Sequence, residues 1–543
     1  MTPASRILQS RLPLPVLLVA GAAIAVSRGQ DAAWDLKNYH LYNAWAFLNG
    51  RLGTDLAAAS IQSFFNPLLD IPYFWLGAGP LSEVPRILAA LQGLWYGGVI
   101  FVLARISARL ASQQARDIGF GDVFAVVIGA TGTMTLTQAG LSTNELPLAL
   151  LVLGGYLTAM PVVAGQEGGV ARQRVAIAGF LCGVAAGLKP TAVVYAPSLG
   201  FAIWAALGFR VSGFRLMAVL GLASLAGFLT AYGMWGYALW SLTGNPVFPM
   251  FNQVFRSSWM PLTSGTDRQF MPDSLMQALF YPFWWLKKNA TQGGNRFADW
   301  RYALAMLSVL TVFLTALVAR TRPAIGPAGR MLIAFVSTSY VLWLLLYSIL
   351  RYAVSIEALS GLTILVAVNA IAAAGRHRAR TVALVMASVL VVVLATTRYT
   401  DWGHAPFSPV VFAVDAGSVE PNSLIVVLSA PTAYIVPFLE NSASARVVSL
   451  TYLNVLGAGY GLDRRIRSAI RSHAGPRYAL LRDFTEAEQA MLAEELPGYA
   501  MTHCRAVHSG IEQTRRRRDL SDGLRLCQID VPELPGDDRR PEL

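Results

Sequence analysis

Eleven stretches of this chain are apolar almost without interruption for about 16 to 26 residues, and no other feature restricts its fold as much. They fall at 12–28, 86–104, 120–138, 146–164, 175–190, 192–208, 216–241, 302–319, 331–349, 353–373 and 381–397. Each approaches the ~20 residues that a helix needs to cross ~30 Å of hydrocarbon. The runs are continuous rather than alternating, which argues against a membrane barrel. Composition agrees. Of 543 residues, 55% are hydrophobic and only 14% charged, where a soluble domain carries roughly a quarter charged. A soluble enzyme, a disordered chain and a collagen-like fibre are excluded on these grounds. The fold class expected is an α-helical polytopic membrane protein with about eleven transmembrane helices. Lys189-Pro190-Thr191 alone divides the fifth segment from the sixth, because proline ends or kinks a helix.

The net charge of +12 is unevenly spread. Residues 1–397 hold 27 Lys+Arg against 13 Asp+Glu, and residues 398–543 hold 16 against 18. The basic excess therefore belongs to the membrane part, where it fits contact with anionic headgroups better than nucleic acid. The Arg515–Arg518 run, set among acids, reads as a solvated loop. With the N-terminus placed in the cytoplasm, the inside segments hold 15 Arg in 62 residues, and the outside segments before the tail have less than half that density of Lys and Arg. Eleven crossings then leave the tail outside. The first segment also has the form of a signal peptide, with Ala23-Ile24-Ala25 near its end, and either reading leaves the later loops on the same sides. A multi-pass protein of a bacterial plasma (inner) membrane follows, with a periplasmic or extracellular C-terminal domain.

Two domains are expected, 1–400 in the membrane and 401–543 outside it. The membrane part carries two long outside loops, 28–85 and 243–301, both rich in Trp, Tyr, Phe and Pro. These suggest amphipathic helices lying on the outer membrane face. In the tail, short apolar runs at 423–429, 446–450, 477–482, 499–507 and 524–531 alternate with helical patterns near 431–440, 463–473 and 485–496. Such alternation predicts a small α/β domain. Antiparallel pairing of the last two strands would bring Cys504 and Cys527 within disulfide reach, leaving Cys182 as a buried thiol. No Gly-rich phosphate loop occurs, and Gly457-Ala458-Gly459 lacks the rest of a dinucleotide fingerprint. No Cys or His pair has metal-ligand spacing, and no G-x-S-x-G is present.

The chemistry-bearing residues gather on the outside. Asp35 follows the first span by about seven residues, and on a regular helix it would share a face with Asn38, Tyr39 and Tyr42. A carboxylate there suits proton abstraction from a hydroxyl, although a helix cap would also explain it. Glu145 opens the fourth span, with Ser142 or Thr143 as the expected N-cap. Two such carboxylates would suit acid–base work or a divalent cation, which is possible although no cofactor is certain. Lys189 and Arg351 sit at outer span ends, where they can snorkel or hold a lipid phosphate. Asn38, Tyr39 and Asn144, beside the acids, are candidates for contacting substrate. Glu357 lies deeper and needs a polar partner, Arg351 or another.

These residues, in this order and on this side, resemble the C-type glycosyltransferase superfamily, the polytopic enzymes that use polyprenyl-phosphate sugars. The resemblance rests on Asp35 in the 34–39 run with Ala44–Arg51 after it, and on Glu145 in the 143–147 run. The 187–191 and 244–252 runs and Arg351-Tyr352 complete it, over roughly 12–400. One departure is that Asp35 stands alone rather than in an acidic pair, which puts a metal requirement in doubt. The resemblance implies transfer of a sugar, with inversion, from a polyprenyl-phosphate donor to a lipid, glycan or protein hydroxyl on the outer face. Asp35 would be the base, Glu145 would orient the acceptor, and Lys189 and Arg351 would stabilise the departing phosphate. Besides donor and acceptor, the partners expected are membrane lipids and no nucleic acid. The rival functions are a transporter or flippase of lipid-linked sugars and a non-catalytic assembly factor. The transporter is disfavoured because the halves show no repeat and the acids lie at one surface.

Overall fold

A computed structural model describes residues 13–265, 267–287, 290–292, 295–318, 325–372, 377–482, 486–512 and 523–531. The Arg515–Arg518 run lies outside them. Each of the eleven apolar stretches contains a helix. Among the described residues, seven helices are long and apolar enough to cross a membrane: α2 (Pro85–Gln113), α4 (Glu145–Val163), α7 (Val211–Thr243), α8 (Arg301–Val318), α9 (Pro327–Leu346), the Leu350–Ile371 helix with its core α10 (Val354–Ile371), and α11 (Arg378–Thr396). The remaining four differ from the eleven expected spans. Helix α1 (Pro13–Arg28), α3 (Phe120–Ala130) and α6 (Tyr195–Ala206) are shorter. Helix α5 (Gly168–Leu188) has the length, but its first turns carry Arg172 and Arg174.

The third stretch, expected as one span over 120–138, shows why apolar length alone misleads. Its helix stops at Ala130, Gly132 turns extended, and a short second helix runs Thr133–Thr137. Glu357 causes the break. Its carboxylate accepts the backbone N–H of Met134 (3.0 Å) and Thr135 (2.6 Å) and both threonine hydroxyls. Asp299 accepts the Thr133 N–H and hydroxyl, and Arg301 in turn bonds Asp299 at 2.8 Å. The polar partner that Glu357 requires is thus this turn, not Arg351.

Contacts divide the chain into two compact units. The first takes in residues 1–29, 86–235 and 266–404. Its helices approach closely through glycine. On α5, Gly179, Gly183 and Gly187 recur every fourth residue, and a Cβ on each would strike backbone at Leu220, Ser224 and Phe228 of α7. Gly129 of α3 and Gly361 of α10 meet reciprocally in the same way. In lipid there is no hydrophobic drive between helices, so this close backbone packing supplies the attraction. Helix α10 is the most enclosed, with 83% of its apolar window buried, against 17% for α7 and α11.

The second unit takes in residues 30–85, 236–265 and 405–543. Residues 30–85 of the first long loop and residues 236–265 thus group with the tail. The tail strands are β1 (Leu424–Val427), β2 (Arg446–Ser449), β3 (Arg477–Leu481), β4 (Ala500–Ala506) and β5 (Arg525–Asp530). The sheet order is β2-β1-β3-β5-β4. The first three strands are parallel, and β5 runs antiparallel to β3 and β4. Helices Gly461–Ser472 and Glu486–Glu495 complete the expected α/β domain. Cys504 of β4 and Cys527 of β5 form a disulfide, and Cys182 is buried and free.

Loop 30–85 contains two short helices, Leu41–Leu48 and Asp70–Ala78, and it packs onto the tail. Leu56 pairs with β2, receiving the Ser449 N–H and donating to the Val447 carbonyl. Arg51 bonds Asp55 at 2.6 Å and the Ala443 carbonyl at 2.9 Å. An edge strand with open backbone groups is covered this way. In the second long loop Leu275 is 75% exposed, and Met276, Leu279 and Phe280 are also exposed.

Two outcomes test this packing. Gly183→Leu should abolish recovery of folded, monodisperse protein, whereas Gly221→Leu, with nothing within 4 Å of its Cβ position, should leave it near wild type. Equal recovery would contradict the close approach of α5 and α7. Peptide mapping without reductant should return Cys504 and Cys527 as one cross-linked pair and Cys182 as a thiol. Free thiols at 504 and 527 would contradict the β4–β5 register.

Candidate functional site

In the first unit, three of the residues singled out from sequence come together. Helix α4 begins at Glu145, and the residue before it, Asn144, holds the left-handed conformation with φ +72°. Asparagine tolerates that region far better than most residues. Asn144 therefore takes the cap position expected of Ser142 or Thr143, and its own side chain makes no cap bond. Thr143 instead donates to Gln138 at 2.6 Å.

Lys189 arrives from the end of α5. Its backbone is extended (φ −147°, ψ +116°), since Pro190 excludes a continuing helix and starts a 3-10 turn over Pro190–Val194. The ammonium bonds Glu145 Oε1 at 2.5 Å and the Thr143 carbonyl at 3.0 Å. Arg351 arrives from the 3-10 turn Leu350–Ala353, and its Nε lies 3.4 Å from the same Oε1. Two cations therefore share one carboxylate oxygen. Glu145 Oε2 is buried and has no hydrogen-bond partner. The Glu145 side chain is 3% exposed, and those of Lys189 and Arg351 are 13% and 16%.

The Tyr352 ring backs the cluster. Lys189 Nζ lies 5.4 Å and Arg351 Cζ 5.7 Å from its centroid, within cation–π range. Arg351 also lies over Trp402 at 5.5 Å. Tyr195 donates to the Tyr352 carbonyl at 2.9 Å, and Tyr347 to the Pro190 carbonyl at 3.0 Å. A small pocket opens here, with Glu145, Thr191, Tyr195, Tyr352 and Ser355 in its wall. One positive charge is left in excess after Glu145 is counted, and the setting suits an anion that can be bonded by both cations. Tyr352 and Tyr195 were not among the sequence candidates, although Tyr352 is the chain neighbour of Arg351.

The second unit holds Asp35, Asn38 and Tyr39. Asp35 is 6% exposed and immediately precedes a π-helical turn, Leu36–His40. The widened turn changes the spacing, so the regular-helix face of Asp35, Asn38, Tyr39 and Tyr42 does not form. Each neighbour has its own contact. Asn38 reaches the Ala59 carbonyl at 3.5 Å, Tyr39 packs edge-on to Phe65, and Tyr42 donates to Asp55 at 2.6 Å. Single π turns inside helices occur often at functional positions.

The turn is held by charge. His40 bonds Asp70 at 2.7 Å. Lys37 bonds Glu512 Oε2 at 3.2 Å, while Glu512 Oε1 accepts the Tyr434 hydroxyl at 2.6 Å and forms an ion pair with Arg482 Nη2 at 2.6 Å. Burial lowers the Lys37 ammonium from its ordinary value, with Glu512 opposing that shift. Burial would raise Glu512, but the charges of Lys37 and Arg482 and the Tyr434 hydrogen bond outweigh it and hold the carboxyl below its usual range. Sequence reasoning missed this set, because nothing in the local pattern around 512 announces a partner near residue 37. Among the described residues no group of three or more His, Cys, Asp or Glu could hold a metal ion.

No family model matches the chain, and neither curated proteins nor solved structures give a match.

A carboxylate held below its unfolded value stabilises the fold above that value, and the contribution is lost as pH falls through the folded one. The unfolded reference for Glu512 is 4.5. Glu512→Gln should therefore cost about 3–5 kcal/mol at pH 7, where it strands two buried cations, and progressively less as pH falls below 4.5. Thermal unfolding of the full chain at a series of pH values from 7 downward measures this, and a pH-independent loss would contradict the assignment.

Proposed function

We propose that the chain is a membrane glycosyltransferase that moves a sugar from a polyprenyl-phosphate donor to an acceptor hydroxyl, inverting the anomeric carbon. The observation that carries this reading is the meeting of Lys189 and Arg351 on one oxygen of buried Glu145. Two cations at helix junctions, backed by an aromatic ring, match the phosphate of a lipid-borne leaving group. A second feature of the same unit supports a lipid substrate. A crevice of about 340 Å³ lies between α8, α9 and α10, walled by Tyr302, Met306 and Phe313, Val336 and Tyr340, and Ile356. Its lining is almost wholly apolar, as an isoprenoid chain requires.

In this reading Asp35 takes the proton of the acceptor hydroxyl. The oxygen attacks the anomeric carbon as the bond to phosphate breaks, and the electron pair leaves on the phosphate oxygen. Lys189 and Arg351 neutralise the charge that builds there, and Glu145 orients the acceptor. Asn38, Tyr39 and Asn144 are the proposed substrate contacts. The products are the glycoside and polyprenyl phosphate. The proposed setting is a bacterial plasma (inner) membrane, crossed eleven times, with the N-terminus in the cytoplasm and the tail outside.

Steady-state kinetics on the purified full chain test the roles. Asp35→Asn should lower kcat by at least ~10²-fold with the fold intact, and Glu145→Gln should lower it less. Lys189→Ala and Arg351→Ala should mainly raise the donor KM. An Asp35→Asn variant with wild-type turnover would overturn the mechanism.

A further inference from the structure

We infer that Glu512 of the C-terminal domain is a positioning residue for Asp35, acting through Lys37. The inference rests on the proposal that Asp35 is the base, and it gives the tail a defined role in the same reaction.

Glu512 is 1% exposed and gathers donors from three separate elements. Lys37 comes from the π-helical turn, Tyr434 from the 3-10 turn Ala433–Phe438, and Arg482 from the residue after β3. Lys37 itself is almost wholly buried, so its charge needs a carboxylate close by. The consequence for Asp35 is geometric. Lys37 lies two residues farther along the same helical run, inside the π turn that Asp35 immediately precedes, so a tether on Lys37 fixes the backbone that carries Asp35. A general base gains from being held in one orientation, and a displacement of about 1 Å costs up to ~10²-fold in rate.

The sequence around Glu512 strengthens the case. The residue lies in the 3-10 turn Gly510–Glu512, which follows β4. Ser509, just before that turn, donates to the Phe412 carbonyl at 3.3 Å, and the Gly510 N–H reaches the same carbonyl at 3.2 Å. The disulfide joining Cys504 to Cys527 brackets Glu512 along the chain. Its carboxylate is thus presented from a backbone that follows β4 directly and is pinned to the Phe412 carbonyl. A purely structural ion pair would make the same contacts, so the test must read the chemistry of Asp35.

The full-length protein is assayed for release of polyprenyl phosphate from a panel of short-chain polyprenyl-phosphate hexoses and pentoses, with membrane extract supplying the acceptor. Glu512→Gln and Lys37→Met are compared with wild type and Asp35→Asn. Both variants should lose about 10- to 100-fold in kcat, with donor KM changed less than about twofold. The acidic limb of the pH–rate profile should move in opposite directions, downward for Glu512→Gln, which leaves the Lys37 charge less compensated, and upward for Lys37→Met, which removes that charge two residues from Asp35. Glu512→Asp, which keeps the charge, should recover part of kcat. If Glu512→Gln does not fold, Lys37→Met carries the test, because it leaves Glu512 paired with Arg482 and Tyr434. Wild-type kcat in Lys37→Met, or loss of folded protein with an unmoved pH profile, overturns the inference while Asp35→Asn remains inactive. Full activity in Asp35→Asn overturns the underlying reading of the base instead.

Discussion

Taking a carboxylate out of water costs more than any one hydrogen bond returns, and a buried acid must therefore collect several donors. Of the four glutamates buried among the described residues, Glu145, Glu357 and Glu512 meet that condition with donors from distant segments, and much of the organisation follows from how each is satisfied. Glu357 takes the first turn of a short helix and so divides what the hydropathy pattern offers as one span. Glu145 takes two cations from separate helix junctions. Glu512 takes a lysine, an arginine and a tyrosine, and so binds a loop near the N-terminus to the last third of the chain. In each case the donors lie far apart in sequence, and the acid fixes where their segments meet.

The three acids differ in what is left over. Glu357 has both oxygens filled by backbone and hydroxyl donors, and nothing remains for a ligand. Glu512 is filled by its three donors, which suits an anchor. Glu145 has one oxygen shared by Lys189 and Arg351 and another with no hydrogen-bond partner, with one positive charge in excess. Only the last has spare capacity for chemistry, which is why the proposed phosphate site is placed there.

How much of this was legible depended on whether the cause was local. The strands of the tail were, because short apolar runs bounded by turn residues mark strands wherever they pack, and the Cys504–Cys527 pairing followed from two of them. The division at Lys189-Pro190 was legible for the same reason, since proline acts on its own neighbours. The break after Ala130 was not. Its cause, Glu357, lies 222 residues from Thr135 along the chain. Glycine at 179, 183 and 187 is visible in sequence, but its partner helix is not. At the candidate sites, Glu145, Lys189 and Arg351 were each selectable as charges at span ends, and their convergence is a tertiary fact. The face drawn through Asp35, Asn38, Tyr39 and Tyr42 failed because a π turn changes the period, and no residue in the 34–42 run signals it. In loop 30–85 the aromatic content was legible, and the buried pairs by which Lys37 and Arg51 tie the loop to the tail were not.

The central claim is that the cationic cluster serves bond cleavage rather than passage of an intact lipid. The most direct measurement follows the phosphate–sugar bond of a doubly labelled polyprenyl-phosphate sugar, with the protein reconstituted in sealed vesicles. The account predicts that the two labels separate, one in polyprenyl phosphate and the other in a new glycoside, and that Lys189→Ala slows the separation. Movement of both labels together across the bilayer, with no cleavage, would contradict it.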